Sequence, residues 1–182
     1  MFQLKITGKN LIRINIKVLE ELLSPPLHRA TADASELKKP LKSFLEYWEE
    51  RRDAKAVSVK LPSKDDMDPL DLRGLLNKVM LFEVLDGGKD FKIRICGQEV
   101  RETLTVPVKG ELLSDLEKQG VVVADMDAFQ FVISSCEPLC EINRSMAAVG
   151  RPHVNFQSVV VPLSTDGTSV DFLMGAYVYG EN

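Results

Sequence analysis

The chain has 182 residues, 45% of them apolar and 27% charged, the size and balance of one globular domain carrying an extension. Leu, Val and Ile recur in every third of the sequence and no segment repeats at a fixed period, which excludes dominant disorder and repeat or collagen-like architectures. A net charge of −4 argues against a protein held on nucleic acid by phosphate neutralisation.

Three cysteines are an odd number in a chain long enough to build its own core, so a disulfide framework is not expected and a reducing cytoplasm is. No stretch reaches the ~18 uninterrupted apolar residues that span a bilayer. The nearest, Leu11 to Leu23, is broken by Arg13, Asn15, Lys17, Glu20 and Glu21, and it makes a poor signal-peptide core for the same reason. Neither a membrane nor a nucleic acid is an expected partner. Charge is unevenly divided: residues 1–55 hold 11 basic and 8 acidic side chains, residues 56–182 hold 12 and 19. This is a weakly basic extension on an acidic body.

Residues 1–34 read as an N-terminal extension and linker. Phe2, Leu4 and Ile6 alternate, as do Ile12, Ile14, Ile16 and Val18, which fits a hairpin; Leu11, Ile12, Ile16, Leu19, Leu22 and Leu23 equally fit a helical face. Ser24-Pro25-Pro26 ends either element. Residues 35–61 carry a flanking amphipathic helix. Its apolar residues Leu37, Leu41, Phe44, Leu45 and Trp48 form one stripe, Ser35 is the expected N-cap, and Arg51 and Arg52 suit the C-terminal end. At roughly 1.5–3 kcal/mol per buried side chain the stripe must be covered by the body, a second copy or a partner. The expectation adopted is a dimer or partner interface, so that Trp48→Glu would dissolve a homodimer.

Residues 62–182 read as the main domain. Asp68-Pro69-Leu70-Asp71 is a helix-start pattern continued by Leu72, Leu75, Leu76 and Val79. Met80 to Leu85 and Phe91 to Cys96 flank Asp86-Gly87-Gly88-Lys89 as a β-hairpin. Short helices follow over Gln98–Thr103 and Gly110–Lys118, then a longer one capped by Asp125 or Asp127 and ended by Pro138. Three strands close the chain: Cys140 to Met146, Val154 to Leu163 and Val170 to Tyr179. The order gives an α+β fold, a five-stranded antiparallel sheet with helices on one face.

Several short motifs recur in order across this domain: Pro62 with Asp65-Asp66-Met67-Asp68-Pro69 and Leu75-Leu76; Phe91-Lys92-Ile93-Arg94-Ile95-Cys96-Gly97; Gly110-Glu111-Leu112-Leu113; and Val161-Pro162-Leu163-Ser164-Thr165-Asp166-Gly167, preceded by Tyr47-Trp48. With them the chain resembles the PAS-like family of uncharacterised proteins found mainly in alphaproteobacteria. The resemblance implies a non-catalytic sensory or protein-interaction module in signalling, with a small pocket between the sheet and the longest helix and dimerisation through the N-terminal helix. It implies a small-molecule ligand and a signalling protein as further partners, since no output segment fits in the remaining residues.

Cofactor chemistry finds little support. Residues 125–138 lack the histidine by which haem-binding PAS domains commonly hold iron, and residues 110–119 lack the reactive cysteine of flavin photosensors. No cofactor and no metal is expected. Cys136 and Cys140 suit small apolar packing at a helix–strand junction better than a redox or metal pair, and Cys96 likewise suits packing. The acidic run Asp65, Asp66, Asp68 and Asp71 lacks the spacing of a calcium loop, and capping accounts for it. Ser134 and Ser135 lack a nucleophile elbow, and Gly87-Gly88 lies in a hairpin rather than at a phosphate-binding turn. The alternative to a binding module is a small-molecule enzyme in an α+β cavity that pairs Asp125 or Asp127 with His153; a third reading is a structural dimer that binds nothing. The ligand pocket is expected between Phe129, Ile133 and Cys136 on the helix and Met174 on the last strand. Phe172, Met174 and Ala176 share one strand face there, and Leu173, Tyr177 and Tyr179 the other.

Overall fold

The structure, a computed structural model, describes residues 33–55, 61–121, 126–146 and 151–181. The hairpin-or-helix expectation for residues 1–32 and the capping role of Asp125 lie outside the described residues.

Helix α1 spans Lys39–Asp53. Its start differs from expectation: Ser35 belongs to a 3-10 turn, Ala34–Glu36, capped by the Asp33 side chain, and α1 itself begins after Lys38 with Pro40 in its first turn. Without a side-chain cap, the Lys38 N–H donates instead to Oε1 of Gln157 at 2.8 Å, so tertiary structure satisfies the helix end. The helix predicted after Asp68 does not form. Asp68 does cap there, accepting from the Leu70 N–H at 2.8 Å, but the chain runs on as turns to a 3-10 segment, Leu76–Lys78. Gly74 weakens helix propagation within this stretch, and strand pairing already claims Val79. Leu72 and Leu75 are buried by these turns, whereas Leu70 is left 75% exposed.

Strands β1 (Val79–Leu85) and β2 (Asp90–Cys96) form the expected hairpin. Asp86, Gly87 and Gly88 all have positive φ, a backbone path that suits the Asp-Gly-Gly sequence. Short helices α2 (Gln98–Leu104), α3 (Leu113–Lys118) and α4 (Met126–Ser135) follow, and then β3 (Leu139–Met146), β4 (Arg151–Leu163) and β5 (Phe172–Glu181). The strands make one five-stranded sheet in the order β2-β1-β5-β4-β3, antiparallel throughout. Part of the β2 edge is covered by residues 110–112, where the Gly110 N–H donates to the Ile93 carbonyl and the Ile93 N–H to the Glu111 carbonyl.

The two faces of the sheet bury different sets of side chains. Helices α2–α4 cover one, and Phe82, Val160 and Leu173 pack there with Val100, Leu116 and Val132. On the other, Leu81, Val159, Val161, Met174 and Ala176 pack with α1 and with Leu61, Met67, Leu72 and Leu75. This corrects the interface expectation. Leu37, Leu41, Phe44, Leu45 and Trp48 are only 0–8% exposed within the single chain, because their own sheet covers them. Of the three coverings open to the stripe, the body is the one realised. A Trp48→Glu change would therefore bury a charge in the core rather than separate a pair of copies. The Trp48 indole N–H donates to the Pro162 carbonyl at 2.9 Å. That carbonyl lies where β4 runs on past its last partner on β3, Leu139 opposite Val160.

Candidate functional site: a chamber on the inner face of the sheet

Between the sheet and α2–α4 lies a chamber of about 150 Å³. Five aromatic rings stand in its wall, Phe82, Phe129, Phe156, Tyr177 and Tyr179, among aliphatic side chains such as Ile93, Val100 and Val160. Phe129 of α4 meets Phe82 and Phe91 edge-on, with ring centroids 5.0 and 4.9 Å apart, the favoured aromatic geometry. Three short helices roof this face and leave the void between them and the sheet.

One end of the chamber is polar, and strand irregularity puts it there. Between Glu141 and Arg144 the β3–β4 register shifts, and Asn143 has φ 55. Strict alternation would send residues three apart to opposite faces; the extra residue of the bulge brings both inward. Arg144 Nε then lies 3.2 Å from Glu141 Oε1, and the Ser158 hydroxyl donates to Glu141 Oε2 at 2.9 Å. The pairing of β3 with β4 and β4 with β5 aligns Glu141, Ser158 and Tyr177 in one cross-strand row and Arg144, Phe156 and Tyr179 in the next. Burial, with the neighbouring Tyr179 and Glu141 adding to it, pushes the Tyr177 phenol far above its usual range. Burial does the same to Tyr179. Both stay protonated.

Of the four residues predicted to line a pocket, Phe129 alone reaches this wall. Ile133 instead packs over the hairpin turn, where a Cβ at Gly88 would come 2.8 Å from its Cδ1. Cys136 stands just past α4 at φ 58, its N–H donating to the Val132 carbonyl, and packs on the opposite core. Met174 points to the α1 face, because Leu173, Gly175, Tyr177 and Tyr179 take the inner one. The pocket also lies away from the longest described helix, which is α1 on the far side of the sheet. The Asp–His alternative gains nothing from the geometry. Asp127 and His153 are both exposed and neither lines the chamber. No group of three or more metal-ligating side chains occurs among the described residues. No described helix is long and apolar enough to cross a membrane.

The motifs that carry the family resemblance serve architecture. The Tyr47 hydroxyl accepts from the Asp68 N–H at 3.1 Å and lies 3.1 Å from Asp71 Oδ2, tying α1 to the turns beneath it. Ser63 and Asp66 cap each other reciprocally, and Lys55 pairs with Asp66. Gly97 is required by crowding, since a Cβ there would come 2.5 Å from the backbone of Asn77. In the last turn Asp166 accepts from the N–H groups of Ser169 and Thr168, which hold its carboxyl far below the usual carboxylate range. The chamber residues that sequence reasoning missed, chiefly Glu141, Arg144 and Tyr177, left one signal: a glycine two positions before a tyrosine, on the strand face opposite the one chosen.

No curated protein matches the sequence. The sequence profile of the PAS domain matches residues 37–178, a span that begins two residues before α1 and ends within β5. With that match over most of its length and the antiparallel sheet order β2-β1-β5-β4-β3, the chain belongs to the PAS domain family, whose members are generally sensory rather than catalytic.

Proposed function

We propose that this PAS domain is a regulatory sensor that holds a small, largely apolar molecule in the chamber and reports its occupancy to a partner protein. The observation carrying this reading is the void itself. A largely apolar cavity of about 150 Å³ is large enough for a benzene-sized guest. It is well below the roughly 300–1,000 Å³ of pockets for drug-sized ligands, so the guest is one ring or a short chain. The covering helices suit a reporter. Polar ties fasten them to the sheet: the Ser114 hydroxyl donates to Asp90 Oδ2 at 2.7 Å, Gln130 donates to the Gly88 carbonyl, and Lys78 pairs with Glu99. Such ties shift without dismantling a core. The three cysteines are all free, which supports action in a reducing cytoplasm.

Native mass spectrometry of the protein purified from its own cells tests the reading. The wild type carries a small-molecule adduct, and the chamber-filling variant Ala128→Leu, folded to the same circular dichroism spectrum, has lost it. An adduct retained by Ala128→Leu places the ligand elsewhere. The proposal is withdrawn if no adduct is found and neither toluene nor phenol raises the Tm of the wild type.

A further inference from the structure

The polar end of the chamber specifies what kind of molecule enters, an inference that rests on the binding function proposed above. Tyr177 folds back along its own strand, so that a Cβ at Gly175 would come 2.7 Å from its hydroxyl. The hydroxyl therefore lies over Gly175, which pairs across the ladder with Met80 on one side and Val160 on the other. Both of those neighbours line the chamber and neither offers a polar side chain. Among the described residues no group hydrogen-bonds to the Tyr177 hydroxyl, although protein does not seal it off: it faces the void. Such a hydroxyl is free to bond to whatever enters the cavity. The nearby charges are already committed, since Glu141 takes both the Ser158 hydroxyl and Arg144 Nε. Together the pair contributes no net charge to the wall, and an ionic guest would have to separate it.

We propose that the chamber selects an uncharged molecule of one ring's size that carries a hydrogen-bond acceptor, with the Tyr177 hydroxyl as the donor that recognises it. The wall's aliphatic side chains and its five rings take the guest's body, and Tyr177 fixes its orientation. A phenol or an aromatic alcohol satisfies all of these demands, an aromatic hydrocarbon satisfies the apolar ones alone, and an aromatic carboxylate brings a charge the wall does not need.

Titration of the whole chain with phenol, toluene and benzoate, followed by NMR or by Tm, tests this against Tyr177→Phe, which keeps the ring over Gly175. Phenol should bind the wild type and lose about 2- to 10-fold in affinity in Y177F, the worth of one neutral hydrogen bond. Toluene should bind both proteins equally or favour the variant, and benzoate should bind weakest. Tighter binding of benzoate than of phenol would make Arg144 the anchor and overturn the proposal, as would equal loss of toluene and phenol in Y177F. Toluene binding without any advantage for phenol in the wild type over Y177F would leave the sensor standing and remove this selectivity. Failure of all three probes would overturn this selectivity, and only with no native adduct as well would it remove the sensor itself. If Y177F does not fold, the wild-type order of phenol against benzoate decides.

Discussion

The same strands present two faces, and the two are finished by different physics. One is closed by a helix of 15 residues, whose Leu41, Phe44 and Trp48 are wholly buried, with Leu61, Met67, Leu72 and Leu75 beside it. The other is roofed by helices of 7, 6 and 10 residues, and it keeps a chamber. A long rod with one continuous apolar stripe can match a sheet along its length and fill the gap to core density. Short helices meet the sheet at separate points, and polar tethers take over some of the work that packing does opposite. The face with the weaker packing is the one with room for a ligand.

The largest effect should come from the closed face. Trp48→Ala removes a buried indole and orphans the Pro162 carbonyl, and urea denaturation should show a loss of about 3–5 kcal/mol. A loss below about 1 kcal/mol would mean that α1 is an accessory rather than half of the core.

Next come the tethers on the open face. Asp90 accepts from the Ser114 hydroxyl and from the N–H groups of Phe91 and Ser114; burial works against its charge, but these bonds outweigh burial and hold the carboxyl below its usual value. Asp66 behaves alike, with burial outweighed by Lys55 and Ser63. Groups with lowered folded pKa contribute stability that is whole above their unfolded value, about 4, and lost as pH falls through the folded one. Asp90→Asn should cost about 1.5–3 kcal/mol at pH 7 and flatten the acid limb of a stability–pH profile. An unchanged limb would show that the tether is not formed in solution.

A matched pair of substitutions sharpens the contrast between filled and unfilled space. Ala176→Val on the α1 face overpacks a site with no exposed surface and should cost about 1–3 kcal/mol. Ala128→Leu grows into the chamber and should be neutral or stabilising by up to about 1 kcal/mol. Equal losses would mean that the chamber is filled in solution.

The smallest effect is chemical. Burial, with Glu49 adding to it, pushes the Cys140 thiol up to about 11. At pH 8 a thiol reagent should leave Cys140 unmodified until the chain is unfolded, as read by peptide mass spectrometry. Labelling at the unfolded rate would show that the α1 face opens.

Local chemistry made much of this protein legible in one dimension. The alternation of Phe91, Ile93 and their neighbours around Asp86-Gly87-Gly88-Lys89 is a hairpin because side chains on a strand alternate and glycine accepts positive φ. The stripe from Leu41 to Trp48 is a helix face because its spacing matches 3.6 residues per turn, although Leu37, expected on the same face, lies before the helix begins. Such features depend on neighbours within a few residues, and they were enough to give the five-stranded α+β sheet.

What covers each face is a contest between distant segments, and only the tertiary structure decided it. Met174 and Tyr177 look equally fit to line a pocket, because both alternating sets on β5 are apolar or aromatic; α1 claimed the Met174 side and left Tyr177 to the void. The bulge at Asn143 was equally hidden, since an extra residue exists only relative to a partner strand, yet it is what turns Glu141 and Arg144 to the same side. The sequence determined the elements through short-range periodicity, and packing between elements far apart in the chain determined where the empty space would be.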